Sequence, residues 1–192
     1  GRILRTLDGE DLPAIADLLA RTLDAGDPGG VIDLAGEILD RQPDHAPTLW
    51  LRGTARAQQG LVVQAREDLE ILLAAPPEAR AAFAADLHGS LARIYLGLGE
   101  TEAAIQQVTL AVETAGGRLD LVEVHVLALF QLGRVSAAVD ILGQTLVEAT
   151  GLEGLALAHL LVPLLDVGRP DDCLRHSERI LRRLGGDRNT PD

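Results

Sequence analysis

Five glycines, Gly26, Gly60, Gly99, Gly133 and Gly168, follow one another at intervals of 34, 39, 34 and 35 residues. Each stands between two stretches whose apolar residues recur with helical spacing, so the chain must fold as a series of similar units. The clearest copy runs from Ala46 through Gly60 to Leu72 and stops at Pro76-Pro77. Leu49, Gly53 and Ala57 lie four apart on one face of its first stretch. Ala65, Leu69 and Leu72 lie four and three apart on its second, the spacing of a helical stripe. Gly53 inside a helix costs about 1 kcal/mol relative to Ala, so a close approach of the two backbones is the reason to expect it there. One such helix pair cannot bury its stripe alone. A period near 34 residues is the signature of helix pairs stacked on their neighbours.

Five residues after each glycine stands a mostly small residue: Val31, Ala65, Ala104, Ala138 and Cys173. A helix breaker or cap follows near Pro43, Pro77, Gly116, Gly151 and Gly185. On these features the chain resembles the tetratricopeptide repeat (TPR) family from about Leu12 to Leu184. That family carries a small residue seven positions before the turn glycine, which Gly53 and Ala92 match and Leu19, Val126 and Leu161 do not. Its large residue four before the turn is matched by Tyr95, and more loosely by Leu129 and Leu164. The resemblance implies an all-α, right-handed superhelical solenoid of about five antiparallel helix pairs. The expected organisation is a lead-in over residues 1–11, one TPR-like domain over 12–184 and a disordered tail over 185–192.

Along the chain, Asp11 is a candidate cap and Pro13 a first-turn residue for a helix through Ile15, Leu18, Leu19 and Leu23. The long third interval places an extra turn or connection around residues 76–82. In the fifth unit, residues 154–165 are apolar on nearly every side, which calls for cover all round; Pro163 within them predicts a kink or break. A last helix over 171–184 is expected to point Leu174, Ile180, Leu181 and Leu184 inward and Arg175, Arg179, Arg182 and Arg183 outward. Such a helix is a polar cap for an array of this kind.

Composition narrows the chemistry. Residues are 47% hydrophobic and only 2% aromatic, so the core is built from Leu, Ala, Val and Ile. The formal charge is −12 and all 17 basic residues are Arg, which argues against a nucleic-acid phosphate footprint. Without Lys there is neither a Walker-type phosphate loop nor a Schiff-base nucleophile. No glycine cluster follows a strand, so no dinucleotide fingerprint is present. His88, His125 and His159 fall on successive first helices without the short spacings of a metal site, and no metal or other cofactor is expected. Glu67-Asp68-Glu70 and Asp171-Asp172 read as solvated helix faces or starts. Cys173 reads as a small core residue. No 18-residue apolar run marks a membrane span. The Lys-free, Arg- and Ala-rich usage suggests a bacterial gene, and a cytoplasmic home is expected. The start at Gly1 without Met leads to the expectation of a tag remnant or an excised piece of a longer protein.

No catalytic residues emerge, and the chain is expected not to be an enzyme. The family resemblance implies a concave groove, lined by the first helix of each pair, that holds a partner protein or peptide. Carried over residue by residue, the groove comprises Trp50, Thr54 and Gln58, then Arg93 and Leu96, then Glu123, Leu127, Phe130 and Gln131. Trp and Arg are common binding anchors. The Lys and Asn with which some members clamp a terminal carboxylate are absent, so a chaperone C-terminus is not expected. The function so implied is a non-enzymatic interaction scaffold or adaptor. A regulatory or sensor domain of a larger bacterial protein and an auxiliary subunit of a biosynthetic enzyme are the alternatives. Ala158, Val162 and Leu165 are expected to remain bare on the fifth unit and to pair two copies of the chain as a homodimer.

Overall fold

A computed structural model describes residues 12–116 and 118–186. The expected lead-in over 1–11, with its Asp11 cap, and residues 187–192 of the expected tail lie outside the described residues.

The glycine spacing has a backbone cause. Gly26, Gly60, Gly99, Gly133 and Gly168 have φ of 82°, 75°, 78°, 73° and 73°, the left-handed region that glycine enters without steric cost. Each donates its N–H to the carbonyl three residues back, as in Gly60 to Ala57 and Gly133 to Phe130. The following residue donates to the carbonyl five back, as in Leu61 to Arg56 and Arg134 to Leu129. This double bond is the Schellman helix stop. It is made five times over with the same register, so each first helix ends, and its partner begins, in the same way.

Among the described residues all regular structure is helical. The helices are α1 (Leu12–Asp24), α2 (Pro28–Leu39), α3 (Ala46–Gln58), α4 (Val62–Ala74), α5 (Pro77–Arg80), α6 (Ala84–Gly97), α7 (Thr101–Ala115), α8 (Leu119–Gln131), α9 (Val135–Glu148), α10 (Gly151–Ala156), α11 (Val162–Asp166) and α12 (Pro170–Gly186). Ala81–Phe83 and Ala158–Leu161 are single 3-10 turns. Pairs α1/α2, α3/α4, α6/α7 and α8/α9 straddle the first four glycines, and α10–α11 with α12 form the fifth. The extra length of the third interval is taken up by α5 and the 3-10 turn after it. The chain divides into two compact units, one ending at Ile94 and the other starting at Tyr95.

In the first unit, Leu19, Val31, Ala35, Ile38, Leu51 and Ala55 form the buried core of α1, α2 and α3. At the α3–α4 crossing, a Cβ on Gly53 would lie 2.7 Å from Leu69 Cδ2 and 2.9 Å from its Cγ. Only a bare backbone fits there, so the close approach inferred from the sequence is present. The same crossing corrects the reading of Asp68. It is 1% exposed and accepts hydrogen bonds from Arg52 Nε at 3.0 Å, Arg52 Nη2 at 2.7 Å and Arg56 Nη1 at 2.7 Å. Two guanidinium groups from α3 thus neutralise a carboxylate that α4 turns inward, which is how a buried charge is tolerated.

In the second unit, Val126, Leu129, Leu142, Leu146, Leu160 and Leu164 belong to one core cluster with Ile180. The apolar stretch of the fifth pair is broken twice, and Pro163 starts α11 near its first turn, where its missing N–H costs nothing. Leu157, Leu160, Leu161 and Leu164 are buried, so the breaks serve to turn leucines inward that a straight helix would spread round its cylinder. α12 departs from expectation in three ways. Its helix extends through Gly186, so residues 185 and 186 are not tail. Leu174 and Leu181 face out, while Ile180 is buried. Arg179 and Arg183 are turned inward to α9, Arg179 Nη1 donating to Gly143 O at 3.1 Å and Arg183 to the carbonyls of Val147 and Ala149. The last carbonyls of α9 lack helical partners, and the Arg183 guanidinium supplies donors at that end. Asp172, expected on a solvated start, is buried and paired with Arg169 and Arg175.

Candidate functional site

On α3 the buried side is Leu49, Leu51, Gly53 and Ala55, which leaves Trp50, Thr54 and Gln58 as a stripe of four-residue steps on another side. Trp50 and Thr54 are half-buried and Gln58 is exposed. Trp50 packs against the core of the first unit. Its face stacks on Phe83 with ring centroids 5.6 Å apart and planes 22° from parallel. An offset stack of this kind holds an aromatic ring in one orientation. Beside it, Thr54 Oγ1 is out of contact with solvent and makes no hydrogen bond. Arg93, on α6, is exposed in the same unit. Phe83 is not among the residues that the sequence singles out. It stands in the extra turn before α6, and its being one of two Phe in the chain is the signal that could have found it.

The remaining candidates are in the second unit. Leu127 and Phe130 are half-buried against its core and so serve partly as packing residues. Glu123 Oε1 lies 3.1 Å from His159 Nε2, and His159 Nδ1 lies 3.0 Å from Ala156 O. Both partners are acceptors, so it is the ring that donates to them. Gln131 is exposed and its Oε1 accepts from Thr101 Oγ1 at 3.3 Å, linking the end of α8 to the first residue of α7. Leu96 is half-buried. Thus α8 brings Glu123, Leu127, Phe130 and Gln131 onto one stripe, as α3 does for its three.

The three histidines considered from sequence have separate surroundings. His88 is buried in the first unit and His159 is paired with Glu123. His125 is half-buried, and burial holds its pKa below the ordinary value of 6.5. Among the described residues no three His, Cys, Asp or Glu side chains gather as metal ligands. No described helix is long and apolar enough to cross a membrane. Of the surface expected to pair two copies, Val162 and Leu165 are 57% and 54% exposed and Ala158 is half-buried.

No protein-family model and no curated protein matches the chain. Solved structures do match its fold. A structure of MamA protein aligns over 92% of this chain and 93% of its own, at 19% identity and a TM-score of 0.75. A Podosopora anserina kinesin light chain structure with nearly identical TPR-like repeats covers 96% of this chain and 100% of its own, at 16% identity and 0.72. YrrB, described as a TPR protein with an unusual peptide-binding site, covers 87% and 83%, at 12% identity and 0.71. The fold is that of TPR-like helical arrays, all-α and built from antiparallel helix pairs.

Proposed function

We propose that this protein is a non-catalytic interaction module that binds a segment of a partner protein on the faces of its first helices. The observation that carries the reading is the Trp50 platform. A large aromatic, held by Phe83 on one side and half-exposed, is a pre-ordered anchor for a peptide. Arg93 in the same unit, and Leu96 with the stripe Glu123, Leu127, Phe130 and Gln131 in the second unit, are proposed as contact residues of their own units. The binding of a peptide by YrrB is consistent with this use of the fold. The reading includes a bacterial protein, supported by the Lys-free, Arg-rich composition, with a cytoplasmic home.

Trp50 is the sole tryptophan, so its fluorescence reports on the proposed site directly. Partner segments captured from the native cell extract are to be titrated against the wild-type chain and against Gln58→Ala and Trp50→Ala. A shift in Trp50 emission on binding, with a loss of roughly 2 kcal/mol of binding free energy in Trp50→Ala, supports the assignment. Binding that leaves Trp50 emission unchanged and survives both substitutions overturns it.

Self-association through α11 is a second part of the reading, favoured by the bare Val162 and Leu165. We expect Val162→Glu to abolish a dimer by burying an unpaired charge. A monomeric sedimentation profile of the wild-type chain at tens of micromolar rejects that part alone.

A further inference from the structure

The outer face of α12 carries two distinct rows of side chains. Leu174 and Leu181, 61% and 67% exposed, stand seven residues apart, two helical turns or about 10.5 Å along the axis. Arg175 and Arg182 stand seven apart as well, about a quarter-turn further round, with side chains 64% and 81% exposed. Glu178 lies between the rows and pairs with Arg182 at 3.0 Å. Beyond the arginine row the surface falls into a cleft of about 340 Å³ lined by Val147, Arg175, Glu178, Arg179, Arg182 and Arg183. Four guanidinium groups against the carboxylates of Glu178 and the adjoining Asp172 leave this cleft cationic in a chain whose formal charge is −12.

The two deeper arginines are committed to the carbonyls of α9 and hold the helix in place. The two outer ones are tied only to carboxylates of their own helix, Arg175 to Asp172 at 3.1 Å and Arg182 to Glu178. The Arg182–Glu178 pair is exposed, contributes little and exchanges readily for a better-placed anion; Arg175 holds the buried Asp172 and presents the rest of its 64% exposed side chain to solvent. Exposed leucines beside exposed guanidinium forks, both with a seven-residue period, match a helix laid along α12. Its apolar residues would meet Leu174 and Leu181, and its carboxylates would meet Arg175 and Arg182, in the way that core and flanking positions combine in paired helices. A small anion would gain nothing from the leucines, and a second α12 laid antiparallel would set arginine against arginine.

We propose that the outer face of α12 is a docking surface for an acidic amphipathic helix of a partner protein. The surface is separate from the residues of the proposed groove, and its test is independent of them. The probes are two synthetic helical peptides of about five turns with the same leucines every seven residues, one with Glu and one with Lys in the flanking row. Their binding to the full chain is to be followed by fluorescence anisotropy of a label on the peptide. The acidic peptide is expected to bind at least tenfold more tightly than the basic one, and to weaken as salt is raised. Arg182→Glu with Arg175→Gln, the second leaving Arg169 on Asp172, is expected to abolish that preference with an unchanged circular dichroism spectrum. Leu174→Gln with Leu181→Gln is expected to weaken both peptides, and Trp50→Ala to weaken neither. Equal binding of the two peptides, no binding of either, or loss of the exposed face to self-association of the chain in sedimentation each overturns the proposal.

Discussion

The second and fifth helix pairs end their first helices with the same Schellman stop, at Gly60 and at Gly168, yet they differ in how their helices are built and held together. In the second pair, α3 and α4 are continuous helices of 13 residues each, pressed together where Gly53 meets Leu69. Their one buried carboxylate, Asp68, is held by arginines from the opposite helix. In the fifth pair the first helix is broken twice, and the buried carboxylate Asp172 is held by residues three positions away on the same stretch of chain. Its buried His176 has no hydrogen bond at either ring nitrogen. The second pair is thus cross-linked by charge between helices, whereas the fifth is joined mainly by apolar packing, its Arg179 and Arg183 reaching instead to α9 of the fourth pair. A shared turn fixes where helices stop, and the residues at the crossing decide how firmly they hold together.

The largest expected effect separates the two carboxylates. Asp68→Ala leaves two guanidinium groups facing a buried gap, and is expected to destabilise the chain by about 3 kcal/mol. Asp172→Ala releases Arg169 and Arg175, whose side chains are 42% and 64% exposed and regain water, so about 1 kcal/mol is expected. Urea unfolding of both variants measures this, and equal losses would remove the distinction between the pairs.

Next in size is an alanine at two glycines, with opposite signs. At Gly53 the new methyl meets Leu69 at 2.7 Å, and overpacking outweighs the gain in helix propensity, for a net cost of about 1–2 kcal/mol. At Gly154 in α10 the nearest atoms, on Ile180 and Leu146, are 3.5 Å away, an ordinary contact. Gly154→Ala is therefore expected to stabilise by about 0.5 kcal/mol. Thermal melts of the two variants check the signs. The turns themselves are where the two pairs should not differ: Gly60→Ala and Gly168→Ala, both at positive φ, are each expected to cost about 1 kcal/mol.

The shared and the differing features were not equally legible. The turns could be found because a left-handed residue at a Schellman stop admits little besides glycine, so the constraint is local and is written in residue type. Gly53 and Pro163 were readable for the same reason, each being a poor helix residue that needs a structural cause. Asp68 was not, because Glu67-Asp68-Glu70 is a solvated face by composition, and the arginines that draw Asp68 inward sit 12 and 16 residues earlier on another helix. The facing of α12 failed for a related reason. Leu174 and Leu181 form one apolar row and Cys173, His176, Ile180 and Leu184 another. Which row is buried depends on α9 and α10, and the buried row contains a histidine that a count of leucines passes over. For the groove, the stripes on α3 and α8 were legible from helical spacing. The Phe83 stack was not, since it joins residues across a connection of irregular length.

The smallest expected effect concerns pH and bears on that histidine. His176 is 4% exposed, and its ring lies against α9, with Cε1 3.0 Å from where a Cβ on Gly143 would be. Burial lowers its pKa below the ordinary 6.5, and nearby Arg179 and Arg175 add to the shift, while Asp172 opposes it. The folded chain thus keeps the ring neutral at a pH where the unfolded chain takes up a proton. Through that window the unfolded state binds more protons, so stability is complete above about pH 6.5 and is lost as the pH falls below it. His45 and His125 are shifted the same way by burial, so some acid sensitivity belongs to the whole chain. The part that belongs to His176 is local. Amide exchange across α12 is expected to quicken more on acidification from about pH 7.5 to about pH 5.5 than exchange at Leu69 and Leu72 of α4, after correction for intrinsic rates. His176→Gln is expected to remove that excess while leaving α4 as it was. If α4 opens with acid as readily as α12, or if the variant keeps the full acid response, the fifth pair is not the weaker one in the sense argued from its orphaned imidazole.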